Sequence, residues 1–172
     1  MRILIASDHA GFDLKQLLTA HARAGGHEVA DLGPAGTDSV DYPDYAHRLA
    51  GRLLAGEGEF GVLVCGTGIG MSITANRHRG VRAALCHDAF TAELARRHND
   101  ANVLCMGGRT TGPGVAVQML DIFLATPFEG GRHQRRVDKI EAKTGSGVRG
   151  PGSGNDKAQV ATSSPGDKEQ ER

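Results

Sequence analysis

The sequence has 172 residues, of which 39% are hydrophobic and 23% charged, a balance typical of one globular domain with a packed core. Its 20 lysines and arginines equal its 20 aspartates and glutamates, which excludes a general charge attraction to nucleic acids or membrane surfaces. We find no secretory signal and no apolar run of about 20 residues that would cross a bilayer. We therefore expect a cytoplasmic protein that binds neither nucleic acid nor membrane, with its three cysteines as free thiols.

Short apolar runs alternate with helical patterns along residues 1–143. The apolar runs predict five strands, at residues 2–7, 28–32, 60–65, 82–86 and 103–106. Periodic apolar positions predict helices at residues 12–23, 45–54, 69–77, 89–98, 114–125 and 132–143. Such regular alternation predicts an α/β fold, in which helices cover both faces of a parallel sheet.

The composition changes at residue 144. Residues 144–172 contain no aromatic side chain and few apolar ones, so this segment cannot bury enough surface to offset the entropy lost on folding. We expect a single domain at residues 1–143, followed by a disordered C-terminal tail at residues 144–172.

Polar and titratable residues follow four of the five predicted strands. In a parallel α/β sheet, ligands bind beyond the carboxyl ends of the strands. The residues at that edge are Ser7, Asp8 and His9, then Cys65 to Ser72, then Cys86, His87 and Asp88, and finally Gly107, Gly108 and Arg109. Because these groups share one edge of the sheet, they form one hypothesis for a functional site.

The segment from Cys65 to Ser72 carries three alternating glycines, Gly66, Gly68 and Gly70, in a turn that opens a helix. Without side chains in the way, backbone N–H groups can converge on an anion there. The same field favours the thiolate form of Cys65. A thiolate beside N–H donors is suited to removing a proton next to a carbonyl group and to holding the resulting negative charge.

Other interpretations of this segment remain open. It is not a phosphate-binding P-loop, because no Lys-Ser/Thr pair follows the glycines. A dinucleotide-binding turn, and thus a nucleotide-binding module, is an alternative, although Met71 stands where a third small residue is expected. A purely structural role is the other alternative for Cys65, and it suits Cys86 and Cys105 better.

A basic cluster lies near the end of the predicted domain. On the helix predicted at residues 132–143, Arg132 and Arg136 share one face, where they can bind a phosphate group or simply face solvent. His98 lies at the end of a predicted helix, where a lone histidine is usually structural. The eight histidines show no metal-binding spacing, so we expect no metal site.

Five ordered blocks of this sequence match a known family. They are SDHAGFDLK, DYPDYA, CGTGIGMSITANR, HNDANVL and EGGRHQRRV. Residues 1–143 thereby resemble the type B ribose-5-phosphate isomerases and the related galactose-6-phosphate isomerase subunits. The resemblance implies a three-layer, Rossmann-like α/β/α fold with a five-stranded parallel sheet. It also implies a homodimer or homotetramer with the active site at the subunit interface, and no metal or organic cofactor.

The resemblance further implies an aldose–ketose isomerase of the pentose phosphate pathway, which interconverts ribose 5-phosphate and ribulose 5-phosphate through a cis-enediolate. Cys65 would be the base, and His98 would assist opening of the sugar ring with Thr67 and Asp8. The other implied contacts are Asp8, His9 and Asn99 to sugar oxygens, Gly66, Thr67, Gly68, Ile69 and Gly70 to the enediolate, and Arg109, Arg132 and Arg136 to the phosphate. One family branch uses a glutamate about ten residues after the cysteine position, but Ile73 to Asn76 contain no acid.

The sugar itself stays open at the level of sequence. Allose 6-phosphate, galactose 6-phosphate and the four-carbon erythrose and erythrulose phosphates are alternatives to ribose 5-phosphate. A sugar-phosphate sensor without activity is a further alternative, but a sensor has no need for a thiol base at a strand end.

Overall fold

The computed structural model describes residues 1–141 of the chain. Its five strands are β1 Arg2–Ser7, β2 Glu28–Asp31, β3 Phe60–Cys65, β4 Ala83–Leu85 and β5 Val103–Gly107. They form one sheet in the order β2-β1-β3-β5-β4, with every neighbouring pair parallel. The five-stranded parallel sheet is thus confirmed. The expected tail at residues 144–172 and the domain boundary at 143 lie outside the described residues.

Six helices cover the sheet: α1 Phe12–Ala24, α2 Tyr42–Leu54, α3 Ile69–Ala75, α4 Ala89–Asn99, α5 Pro113–Ala125 and α6 Gln134–Ile140. Alternate strand residues point to opposite faces. Ile5 and Val64 therefore pack with side chains of α1, α4 and α5, whereas Leu4 and Leu63 pack with those of α2 and α3. Two apolar cores on the two faces of the sheet make three layers, as expected.

Two helix starts differ by two or more residues from the sequence prediction. α2 begins at Tyr42 rather than at residue 45, because Asp41 is extended and Pro43 occupies the first turn, where its missing N–H costs nothing. The helix predicted from residue 132 begins only at Gln134. The preceding Gly130 and Gly131 have φ values of +65° and +54°, which keep the chain out of the right-handed helical region until after them.

The later start of α6 changes the relative positions of Arg132 and Arg136. Arg132 lies in the turn before the helix, and only Arg136 is helical. The two arginines therefore do not occupy positions i and i+4 of one helix. Along residues 1–141, no helix combines the length and apolar character needed to cross a membrane.

Candidate active site

The turn after β3 holds the sulfur of Cys65 against a backbone donor. Cys65 is 5% exposed, and the N–H of Gly68 donates to its Sγ at 3.1 Å. Gly68 has a φ of +79°, and a Cβ there would lie 2.5 Å from Cδ1 of Leu85, so both conformation and space require glycine. Within the described chain, the N–H groups of Gly66 and Thr67 have no protein acceptor. The turn therefore presents free donors beside a hydrogen-bonded sulfur.

The other two cysteines lie in surroundings that oppose a thiolate. Burial raises the pKa of Cys86 to about 11, and burial also raises the pKa of Cys105. Cys65 alone of the three follows directly into the glycine turn and accepts a backbone N–H there. Among the three thiols, this geometry favours Cys65 as the reactive one.

Asp8 and Arg109 flank the turn on its two sides. The N–H of Asp8 donates to the carbonyl of Val64 at 3.0 Å, beside Cys65, and Oδ1 of Asp8 accepts the N–H of Gly11 at 2.9 Å. On the other side, the N–H of Arg109 donates to the carbonyl of Gly66 at 3.0 Å. The carboxyl ends of β1, β3 and β5 thus place Asp8, Cys65 and Arg109 at one edge of the sheet, as the sequence predicts.

Two further side chains border this edge. The N–H of Val40 donates to Nδ1 of His9 at 3.3 Å, which connects His9 to the loop before α2. The ring of Tyr42 packs so closely on Gly70 that a Cβ at that glycine would lie 2.6 Å from ring carbons. We call the residues Asp8, His9, Cys65 to Gly70 and Arg109 the carboxyl-edge group.

A second cluster, which we call the histidine cluster, consists of His98, Glu129 and His133. The rings of His98 and His133 stack at 4.2 Å with an interplanar angle of 2°. Oε2 of Glu129 lies 3.8 Å from Nε2 of His98 and 3.4 Å from Nε2 of His133. Nε of Arg132 donates to Nε2 of His133 at 3.3 Å. The cluster thus joins the end of α4 to the turn that precedes α6.

The charges within the histidine cluster follow from its surroundings. Burial, followed by the nearby charge of His98, lowers the pKa of His133, so its ring favours the neutral form. A hydrogen bond from Arg97 is the main cause that lowers the pKa of Glu129. An ionised carboxylate and a neutral imidazole therefore border His98, which is a suitable setting for proton transfer.

The histidine cluster also has the donor set of a metal site. One ligand atom from each of His98, Glu129 and His133 lies within 4.8 Å of the others, and two imidazoles with a carboxylate are common zinc ligands. However, Arg132 already contacts Nε2 of His133, and Arg97 is paired with Glu129. These two cations repel a metal ion, so the arrangement fits an anionic ligand better, and the absence of a metal stays a prediction.

The carboxyl-edge group and the histidine cluster lie at opposite edges of the sheet. α4 starts after the carboxyl end of β4 and ends before the amino end of β5. Its 11 residues span about 16 Å at 1.5 Å per residue. No hydrogen bond, ion pair or ring contact in residues 1–141 joins the two groups. A single chain therefore does not bring His98 to Cys65.

Three of the predicted contact residues stay with the histidine cluster. Asn99 follows His98 and borders a cavity of about 210 Å³ beside the edge strand β4. Arg132 contacts His133 directly, and the N–H of Arg136 donates to the carbonyl of His133 at 2.9 Å. Asn99, Arg132 and Arg136 are therefore separated from the turn in one chain, whereas Asp8, Thr67, Ile69 and Arg109 are close to it.

Sequence reasoning assigned no role to Tyr42, Glu129 or His133. All three lie inside the blocks DYPDYA and EGGRHQRRV, which was the available signal. Their contacts with Gly70 and His98 depend on chain folding over distances of 28 to 35 residues, which no local spacing rule captures.

The fold and the turn define the class: a parallel α/β protein with a buried thiol in a glycine turn at the carboxyl edge of its sheet. The model of the family described as Ribose/Galactose Isomerase matches residues 3–140. The chain belongs to this family, and the resemblance seen in the five sequence blocks is confirmed.

Similar proteins support this membership. A putative sugar phosphate isomerase of Bacillus subtilis is 48% identical over 141 residues, which cover 81% of this chain and 95% of the relative. Ribose-5-phosphate isomerase B of Escherichia coli is 44% identical over 141 residues, covering 82% and 95%. A solved ribose 5-phosphate isomerase of Thermotoga maritima is 52% identical with a TM-score of 0.80, covering 81% of this chain and 97% of its own.

Proposed function

We propose that the protein interconverts ribose 5-phosphate and ribulose 5-phosphate. The observation that carries this proposal is the hydrogen bond from Gly68 to the sulfur of Cys65, in a turn where the N–H groups of Gly66 and Thr67 have no protein acceptor in residues 1–141. The names of the Escherichia coli and Thermotoga maritima relatives support ribose 5-phosphate as the sugar. Three free cysteines suit a reducing compartment, which supports a cytoplasmic location. Ribose 5-phosphate as the substrate would give the protein a place in the pentose phosphate pathway.

In the proposed reaction, the thiolate of Cys65 removes the proton from C2 of the open-chain aldose and the thiol returns it to C1. A proton moves from O2 to O1, so the isomerisation needs no oxidant and no reductant. The intermediate cis-enediolate carries negative charge on oxygen. We assign the stabilisation of that charge to the N–H groups of residues 66–70, and the unpaired N–H groups of Gly66 and Thr67 support this assignment. Such donors typically contribute several kcal/mol, about 3–4 for a single one.

The sugar arrives as a closed ring, which must open before the proton can move. We assign this step to His98, with Thr67 and Asp8 as partners, because His98 lies between an ionised Glu129 and a neutral His133. His9 and Asn99 would hold sugar oxygens, while Arg109, Arg132 and Arg136 would bind the phosphate. Binding of the phosphate orients C1 and C2 beside Cys65.

Because His98 and Cys65 lie at opposite edges of one chain, this assignment requires a second copy. We propose a homodimer, alone or within a homotetramer, in which each site combines the carboxyl-edge group of one protomer with the histidine cluster of its partner. An apolar stripe on α3 supports this arrangement. Ile69 and Ile73 are 50% and 56% exposed, are one helical turn apart, and directly follow the glycine turn.

The test is a substrate panel with the purified full-length chain. Ribose 5-phosphate is compared with allose 6-phosphate, galactose 6-phosphate and the four-carbon erythrose and erythrulose phosphates, in D₂O. We expect the highest kcat/KM with ribose 5-phosphate and solvent deuterium at C1 of ribulose 5-phosphate.

Other outcomes would assign the protein differently. Turnover of a six-carbon or four-carbon sugar phosphate alone would contradict the assigned substrate while keeping the chemistry. Binding without deuterium exchange would indicate a sensor. Micromolar binding of NAD or AMP without isomerisation would favour the nucleotide-binding alternative.

A further inference from the structure

Lys15 is a buried charged residue that the proposed reaction does not use. Its side chain is 0% exposed. Its Nζ donates to Oδ1 and Oδ2 of Asp31 at 2.7 Å each and to the carbonyl of Pro34 at 2.8 Å. An ammonium group with several acceptors in contact is a stable buried arrangement. Because no part of Lys15 is accessible, it cannot touch a substrate.

These contacts hold residues 31–34 against α1, which carries Lys15, and further bonds join the same residues to the end of β1, the strand that leads to Asp8 and His9. Oδ1 of Asp31 also accepts the N–H of Gly33 at 2.9 Å. The N–H of Leu32 donates to the carbonyl of Ile5, and the N–H of Ser7 donates to the carbonyl of Gly33. Lys15 therefore provides the side-chain contacts that, together with these backbone bonds, hold the start of the loop before α2 in place.

The other end of that loop contacts His9. Val40 donates its N–H to Nδ1 of His9 at 3.3 Å. Since a neutral imidazole carries its single proton on the nitrogen that is not accepting, this bond places the proton on Nε2. His9 then carries an N–H donor on Nε2, which is the form needed to donate to a sugar oxygen.

We infer that Lys15 is a positioning residue: by anchoring the loop at residues 31–40, it sets the orientation and tautomer of His9 for sugar binding. The inference rests on the proposed function for the role of His9. Replacing Lys15 by Met leaves Asp31 without its cation and frees Pro34. Val40 then no longer holds Nδ1 of His9 in place, although no atom of the substrate contacts position 15.

The first test measures His9 directly. Full-length protein with ¹⁵N-labelled histidine is compared as wild type, Lys15→Met and Thr19→Val, with His9 assigned by its loss in His9→Ala. Thr19 is a matched control, since it is buried on the same helix and its hydroxyl has no partner in residues 1–141. We expect the Nε2-protonated tautomer in wild type and Thr19→Val, and a mixture of tautomers in Lys15→Met.

If Lys15→Met fails to fold, Lys15→Met/Asp31→Leu replaces it. Removing both charges avoids an unpaired buried carboxylate, so this variant is expected to fold and to show the same change at His9. A folded variant with the wild-type tautomer of His9 would overturn the inference. This spectrum needs no activity, so it remains valid even if the proposed reaction is wrong.

The second test is a double-mutant cycle on kcat/KM with ribose 5-phosphate. We expect Lys15→Met to lower kcat/KM by about tenfold or more, chiefly through KM. In the His9→Ala background, the same change should cost less than about twofold, because its effect passes through His9. An equal fold loss in both backgrounds would show that Lys15 supports only the general fold, and would contradict the inference.

Discussion

Cys65 combines burial, a backbone N–H on its sulfur and a place beside unpaired donors, a combination that Cys86 and Cys105 lack. We predict that Cys65→Ser lowers kcat for ribose 5-phosphate by about 10²–10⁴-fold, the usual contribution of a catalytic base, with little change in substrate binding. Steady-state kinetics and equilibrium binding measure the two effects.

Cys105→Ala is the matched control for this substitution, since Cys105 is also a buried strand cysteine. It should keep most of its turnover. Wild-type turnover in Cys65→Ser would remove Cys65 from the mechanism.

His133 makes stability depend on pH. Its pKa in the folded chain is lowered from the ordinary 6.5, chiefly by burial. As the pH falls below 6.5, the unfolded chain binds this proton more readily than the folded one, so the free energy of unfolding decreases. We predict that denaturant unfolding at pH 7.5 and 5.5 shows this loss, and that His133→Gln reduces it.

The exposed His87 serves as a control, because His87→Gln keeps His133 and its buried surroundings and should therefore keep the loss of stability that His133 causes. A slope in His133→Gln identical to that of the wild type would contradict the role of burial at His133.

Glu129 affects the free energy of unfolding at lower pH than His133 does. Its folded pKa is lowered from 4.5 by Arg97, so its stabilising effect is present above 4.5 and is lost as the pH falls further.

At the scale of single residues, sequence predicted the members of the site better than their contacts. Cys65 was identifiable because a strand end followed by a glycine turn is a local pattern. His133 was not, because its stacking on His98 depends on how α4 and the turn before α6 meet. The sequence of neither segment alone indicates this contact.

At the scale of elements, the turn into α3 depends on Gly68. A methyl group there would lie 2.5 Å from Leu85 and 2.8 Å from the backbone of Met106, at a φ of +79°. We predict that Gly68→Ala lowers the free energy of unfolding by about 1–3 kcal/mol and also lowers kcat, because the donor to Cys65 moves. Denaturant unfolding and kinetics measure the two effects.

Gly51 on α2 is the contrasting position, since a Cβ there meets nothing within 4 Å. Gly51→Ala should therefore raise the free energy of unfolding by about 0.5–1 kcal/mol and leave activity unchanged. Equal stability of Gly68→Ala and wild type would contradict the close packing of the turn.

Helices and strands were predictable where the apolar pattern was clear, as in the helical periodicity of α1 and the continuous apolar run of β3. The start of α6 was not, because Gly130 and Gly131 adopt positive φ values that composition alone does not reveal. α2 begins before its first periodic apolar residue, because the extended Asp41 and Pro43 in the first turn define its start. These two residues do not contribute to the apolar periodicity.

At the scale of the whole molecule, the sheet determines which groups can meet in one chain. Strand–helix alternation predicted the parallel sheet, and the order β2-β1-β3-β5-β4 places β3 at its centre, where the glycine turn emerges. The opposite placement of His98 follows from α4 running antiparallel to the strands. Sequence motifs alone do not show which end of α4 lies at which edge of the sheet. The separation of the carboxyl-edge group from the histidine cluster is therefore seen only in the structure.

In the proposed dimer, one protomer supplies Cys65 to a site while its partner supplies His98 and Arg132. Two inactive variants, Cys65→Ser and His98→Asn/Arg132→Ala, are unfolded together in equal amounts, refolded and assayed with ribose 5-phosphate. Random pairing makes half of the dimers mixed, and each mixed dimer has one intact site of its two. A site shared between protomers therefore predicts about a quarter of wild-type activity. Activity no greater than the sum of the two variants refolded separately would contradict it.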